Sequence, residues 1–164
     1  MKFKYSKFLA KPSEAFPDLK EVWRPVVPIK IINRDKEFGY LALVDSGADF
    51  CIFHADVAEV LGIQVKKGKT SPIFGVTRGE GKVYYHQVDL EIGGWKIDSY
   101  VGFSYDLRFP LGILGQRGFF EFFSIGRIMT SNDDHEVHFV RKFFHSDLTI
   151  LGGLANRIHE FHVF

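Results

Sequence analysis

Cysteine is nearly missing from this sequence: Cys51 is the only one, so no disulfide can form within the chain. Its neighbours Phe50 and Ile52 are apolar, which marks the thiol as a small buried hydrophobe rather than a reactive group. A reducing, cytoplasmic setting fits. No charge of one sign dominates either. The 21 Lys and Arg nearly cancel the 20 Asp and Glu, leaving no field to hold nucleic acid or an anionic membrane, so neither is expected as a partner. No apolar run approaches the ~20 residues of a membrane span, and none of signal-peptide length follows the basic stretch Met1 to Lys11. Neither insertion nor secretion is expected. Internal repeats and low-complexity tracts are also lacking.

What the sequence does have is apolar bulk. With 164 residues and 46% hydrophobic content, it can build one sizeable core and is too short for two ordinary domains. Eighteen phenylalanines are many for this size. Phe119-Phe120, Phe122-Phe123 and Phe143-Phe144 place them in the C-terminal third, as residues for a core or an oligomer interface.

Read along the chain, residues 1–22 mix charge, aromatics and proline without period and are expected to form an irregular arm. Val26 to Ile32 is rich in β-branched residues, Asn33 to Phe38 is turn-like, and Tyr40 to Val44 is a second apolar run that leads into Asp45: a hairpin with a loop after it. Phe50 to Phe53 forms a short run. Val57, Val60 and Leu61 then fall at helical spacing before Gly62, a natural stop. Gln64 to Pro72 reads as a solvated, lysine-rich loop. From Val83 to Ile92 the residues Tyr84, His86, Val88, Leu90 and Ile92 alternate with the rest at strand period, Gly93-Gly94 makes a hairpin turn, and Trp95, Ile97, Val101 and Phe103 share a face of the next strand. The domain is therefore expected to be mostly antiparallel β with few helices.

Asp45-Ser46-Gly47-Ala48 stands at the end of an apolar strand, where a carboxylate can be held rigidly and a glycine lets another backbone come close. Taken alone, the tripeptide reads more readily as a polar turn between two strands. Downstream, Ile113-Leu114-Gly115 enters a helix-like segment from Gln116 to Phe123. The order Val44-Asp45-Ser46-Gly47-Ala48-Asp49, a helix, a glycine-bearing hairpin, and Gly112-Ile113-Leu114-Gly115-Gln116-Arg117-Gly118-Phe119-Phe120 resembles the retropepsin-like aspartic proteases, specifically their cellular, bacterial-type branch, over roughly Trp23 to Phe123.

That resemblance implies a single-lobe, closed β-barrel of the acid-protease fold with one or two short helices, spanning residues 23–141, with its active site at a homodimer interface. It implies that Asp45 is the catalytic carboxylate and that Ser46 hydrogen-bonds across the two-fold axis. Gly47 would permit close approach at the cleft floor, Ala48 and Asp49 would meet the substrate backbone, and Ile113, Leu114 and Gly115 would pack beneath the loop. It also implies a β-hairpin flap, placed here at residues 73–81, with Gly75, Val76, Thr77 and Gly79 against substrate. The substrate would be an extended peptide or unfolded protein; no metal and no organic cofactor is implied.

Only one Asp-(Ser/Thr)-Gly is present, since Asp98-Ser99 runs into Tyr100. The chemistry needs two carboxylates that share a proton, so a second copy of the chain must supply the other. Activity is expected to favour mildly acidic pH. The sequence departs from the family in placing Gln116 before Arg117, where many members have Arg directly after the glycine. Beyond Phe123 the likeness fades: Ser124 to Asp134 lacks a clear strand, Glu136 to Arg141 suits a closing one, and residues 142–164 form an extension of no assigned structure.

Four other readings compete. His135 with His138, and His159 with His162, have metal-ligand spacing but lack a third ligand, so they read as surface histidines. Cys51 with His54 would be a thiol nucleophile only if both faced a cleft. A dimeric peptide-binding module, weak or inactive as an enzyme, would use the same fold. A protease of a polyprotein or mobile element would carry the same sequence features.

Overall fold

A computed structural model of the chain describes residues 1–73, 81–129 and 135–142, and strands dominate them. The central sheet is built from two hairpins. In the first, β4 (Val26–Asn33) pairs antiparallel with β5 (Lys36–Val44) around Arg34-Asp35. In the second, β8 (Gly81–Ile92) pairs with β9 (Trp95–Ser104) around Gly93-Gly94. Both glycines have positive φ, 56° and 84°, the backbone that a two-residue hairpin turn demands. Two short strands join the hairpins. β6 (Ile52–His54) runs parallel to β9, and β10 (Gly112–Leu114) lies between β5 and β6. Because β4 also pairs with the far half of β8, the order β4-β5-β10-β6-β9-β8 closes on itself as a six-stranded barrel. This is the mostly β, closed single lobe that the sequence implies.

The remaining elements depart from the sequence reading. The N-terminal arm is not irregular: β1 (Lys2–Lys4) pairs with β12 (His135–Arg141), and β2 (Ser6–Leu9) pairs with β3 (Glu21–Arg24). The lysine-rich loop holds a 3-10 turn at Val65–Lys67 and an edge strand, β7 (Lys69–Ile73), on the near half of β8. Residues 124–129 belong to a strand, β11 (Phe123–Met129), which pairs with β12. Gln116 to Phe123 is a run of turns instead of a helix, because Gly118 sits at φ 92°. One α-helix, α1 (Ala55–Val60), lies among the described residues. His54 caps it by accepting the Asp56 N–H at 3.3 Å, and Gly62, at φ 73°, ends it.

The core follows from these pairings. Val27, Ile29, Ile31, Val88, Leu90, Ile92 and Val101 fill the barrel, and Phe119, Phe123 and Phe139 close one end with ring centroids 5.2 to 6.1 Å apart. Phe119 and Phe123 are thus core residues, whereas Phe143-Phe144 lies outside the described residues. On β8 the even positions face the core as expected, but Val83 and Tyr85 are buried too, since a second apolar cluster covers the opposite face of its first half. Trp95 is partly exposed at the start of its strand, with the Arg141 guanidinium 4.9 Å above its ring. Among the described residues no helix is long and apolar enough to cross a membrane.

Candidate active site

Asp45 is the first residue after β5, and its position is fixed by the strand beside it. β10 runs parallel to β5 with Leu114 opposite Val44, so the Leu114 carbonyl is placed to accept the Asp45 N–H, at 3.0 Å. The loop then turns back on its own carboxylate: Asp45 Oδ1 accepts the Gly47 N–H at 2.9 Å, and the Asp45 carbonyl accepts the Ala48 N–H at 3.2 Å. A carboxylate so tethered cannot swing, and its second oxygen is left for other partners. Asp45 is half-buried while Ser46, Gly47 and Asp49 are exposed. The chain therefore presents this group at its surface.

The strand after the loop is clasped by the residues after β10. Gln116 N–H donates to Ala48 O at 2.8 Å, Arg117 N–H to Asp49 O at 2.9 Å, and Cys51 N–H to Arg117 O at 3.1 Å. Gly115 lies so close beneath that a Cβ there would stand 2.4 Å from Phe50 O and 2.7 Å from Ala48 O. The structure thus brings together Asp45, Ser46, Gly47, Ala48, Asp49, Ile113, Leu114 and Gly115. Gly75, Val76, Thr77 and Gly79, with the rest of the expected flap tip, lie outside the described residues.

Sequence reasoning missed two contributions. Gln116 Nε2 donates to Ser46 O at 2.7 Å, bracing the loop. Nothing local signals a bond across so many residues. The second is the cluster of Ile52, Val83, Tyr85, Leu107 and Ile113, with Ala48, Phe50 and Phe109 against it. This forms a second, small apolar core beside the Asp45 loop and apart from the main one. Leu107 and Phe109 gave a faint signal as large apolar residues in an otherwise turn-like segment.

The rival chemistries fare poorly. Cys51 is fully buried, its Sγ faces the Gly115 N–H at 3.4 Å, and burial pushes its thiol up to about 12. His54 is engaged with Asp56. We expect Cys51 in the native protein to react with a maleimide at neutral pH at least ~1,000-fold more slowly than in the unfolded chain; labelling within minutes under native conditions would contradict its burial. His135 and His138 belong to β12, and His159 and His162 lie outside the described residues. Among the described residues no group of three or more His, Cys, Asp or Glu could hold a metal.

No protein-family model matches the sequence, and no curated protein matches it. Among solved structures the chain is similar to a retropepsin-like aspartic protease from Rickettsia conorii, at 16% identity and a TM-score of 0.48, covering 81% of this chain and 91% of that one. It is similar to the retroviral protease-like domain of Ddi1 from Leishmania major, at 21% identity and a TM-score of 0.49, covering 71% and 94%. It is also similar to the EIAV protease complexed with the inhibitor HBY-793, at 20% identity and a TM-score of 0.41, covering 57% and 82%.

Proposed function

We propose that the chain is one half of an aspartic endopeptidase, completed when a second copy brings its own Asp45 to the first. The observation that carries this reading is the tethered, half-exposed Asp45 carboxylate at the surface of the chain, in a loop held from beneath by Gly115 and its neighbours. In the dimer one Asp45 is ionised and takes a proton from water, while the other is protonated and polarises the scissile carbonyl. Water oxygen bonds to the carbonyl carbon to give a tetrahedral diol. The C–N bond then breaks as a proton passes to the leaving nitrogen, and the pair returns to sharing one proton. Ser46, exposed beside Asp45, hydrogen-bonds its counterpart across the two-fold axis in this reading, and Ala48 and Asp49 meet an extended peptide backbone. The site needs no metal or organic cofactor, and the setting is cytoplasmic.

Peptide-library cleavage read by mass spectrometry between about pH 4 and 8, on a preparation whose dimer content is measured, tests the reading. Cleavage that is strongest at mildly acidic pH is expected. A well-folded dimer that binds extended peptides and cuts none would make the chain a peptide-binding module instead.

Gln116 offers a finer check. Its amide is exposed, so Gln116→Ala should cost no more than ~1 kcal/mol of stability. It frees the Ser46 carbonyl, and a loosened loop should lower kcat about three- to tenfold with KM little changed. Unaltered kcat would mean that the loop does not need this brace.

A further inference from the structure

The arm that precedes the barrel gains no buried residue from it. None of residues 5–25 is buried. β2 and β3 form a sheet only two strands wide, paired from Ser6 with Arg24 to Leu9 with Glu21. Alternation along the strands puts Phe8 and Val22, both partly buried, on one face, and Lys7, Leu9, Glu21 and Trp23, all exposed, on the other. The Lys7 ammonium is engaged within that open face, 2.9 Å from a Glu21 oxygen and 5.0 Å from the centre of the Trp23 ring. Leu9 stays 93% exposed, and Phe16 and Leu19 in the connecting loop stay 65% and 39% exposed. An isolated two-stranded hairpin is marginal in water. Large apolar side chains gathered on one short projection and rimmed by charge mark a surface that another protein covers.

The root of the arm points to the partner. Val44, the residue before Asp45, donates its N–H to Pro25 O at 2.9 Å, which sets the base of the hairpin beside the Asp45 loop. We propose that the β2–β3 arm is a clasp that packs on a second copy of this chain, with Leu9, Phe16 and Leu19 as its apolar contacts. The clasp presupposes that Asp45 is half of a shared site. Two carboxylates that share a proton lie about 3 Å apart, which brings the partner's surface to the foot of the arm. From Arg24 to Glu21 the strand rises ~10 Å, and the loop at 10–20 extends it. A copy seated at Asp45 is within that length. Charge does not oppose the contact: Lys7, Lys11, Lys20 and Arg24 stand against Glu14, Asp18 and Glu21, so two arms related by a two-fold axis are close to neutral toward each other.

Sedimentation equilibrium of the full chain, wild type against Leu9→Ser/Phe16→Ser, tests it. Both side chains are exposed in the single chain, so serine there leaves the fold standing, read as an unchanged Tm at dilution into monomer. Each substitution acts twice in a two-fold dimer, and the dissociation constant should rise at least about a hundredfold. Val60→Ser is the control: Val60 is 56% exposed at the end of α1, outside the arm, and this variant should dimerise like the wild type. Amide exchange gives the direct readout. Across residues 7–9 and 21–24 the wild type should exchange about tenfold more slowly well above its dissociation constant than well below it. Either an unmoved dissociation constant in the double variant, or arm exchange that ignores concentration, overturns the clasp and leaves the shared Asp45 site standing, with the partner held elsewhere. A wild type that stays monomeric ends both. A clasped dimer that cuts no peptide ends only the enzymatic reading.

Discussion

Asp45→Asn should lower cleavage by at least about a thousand-fold while leaving dimers intact. Asparagine keeps the shape, and its amide oxygen can still accept the Gly47 N–H that Asp45 Oδ1 accepts at 2.9 Å. The loop geometry, set by Leu114 O, is thereby preserved. What is lost is the ability to hold and share a proton, which an amide cannot do at neutral pH. Mixing sharpens the test. If wild-type and variant subunits exchange freely in equal amounts, roughly a quarter of the dimers carry two aspartates. Cleavage per total protein should then fall to about that fraction, whereas two independent one-chain sites would leave about half. Persistent cleavage by the pure variant would remove Asp45 from the chemistry.

Much of this site could be read before the fold was known, and the reason lies in locality. The β-branched run at 26–32, the turn after it and the apolar run at 40–44 each carry their own signal, and they became β4 and β5. The glycine pair at 93–94 set the second hairpin because only left-handed backbone closes so tight a turn. Asp45 was legible for the same reason, as a carboxylate ending a strand before a glycine.

What escaped depends on partners far along the chain. β1 consists of Lys-Phe-Lys and is a strand only because Val137 and its neighbours lie beside it. β7 is Lys-Thr-Ser-Pro-Ile, an edge strand whose proline is tolerated where only one side is paired. The Phe119 to Phe123 stretch has apolar spacing that imitates a helix, yet its buried rings are delivered to the core by a turn at Gly118. Gln116 likewise gains its role only when Ser46 folds back onto it. Aromatic content was read as core or interface; Phe119 and Phe123 are core, and nothing local named the element that carries them.

Gly115→Ala should be the most damaging small change outside the carboxylate, and its effect discriminates between a braced loop and a merely adjacent one. Its added methyl would meet Phe50 O at 2.4 Å, Phe50 C at 2.6 Å and Ala48 O at 2.7 Å. All three are backbone atoms, so no side chain can rotate away. Either the loop or the 115–117 segment must move, lengthening the bonds from Gln116 N–H to Ala48 O and from Arg117 N–H to Asp49 O. Overpacking in a close-fitted interior costs ~1–3 kcal/mol, and a clash with main chain belongs at the upper end. At ~2–4 °C per kcal/mol for a chain of this size, Tm should fall by about 10 °C. A displacement near 1 Å at Asp45 should lower kcat by about a hundredfold even where the variant remains folded. Gly126→Ala is the control, because a Cβ there has nothing within 4 Å; it should melt close to the wild type. If Gly115→Ala melts and cleaves like that control, the loop is not held from beneath, and the rigidity ascribed to Asp45 rests on its own turn alone.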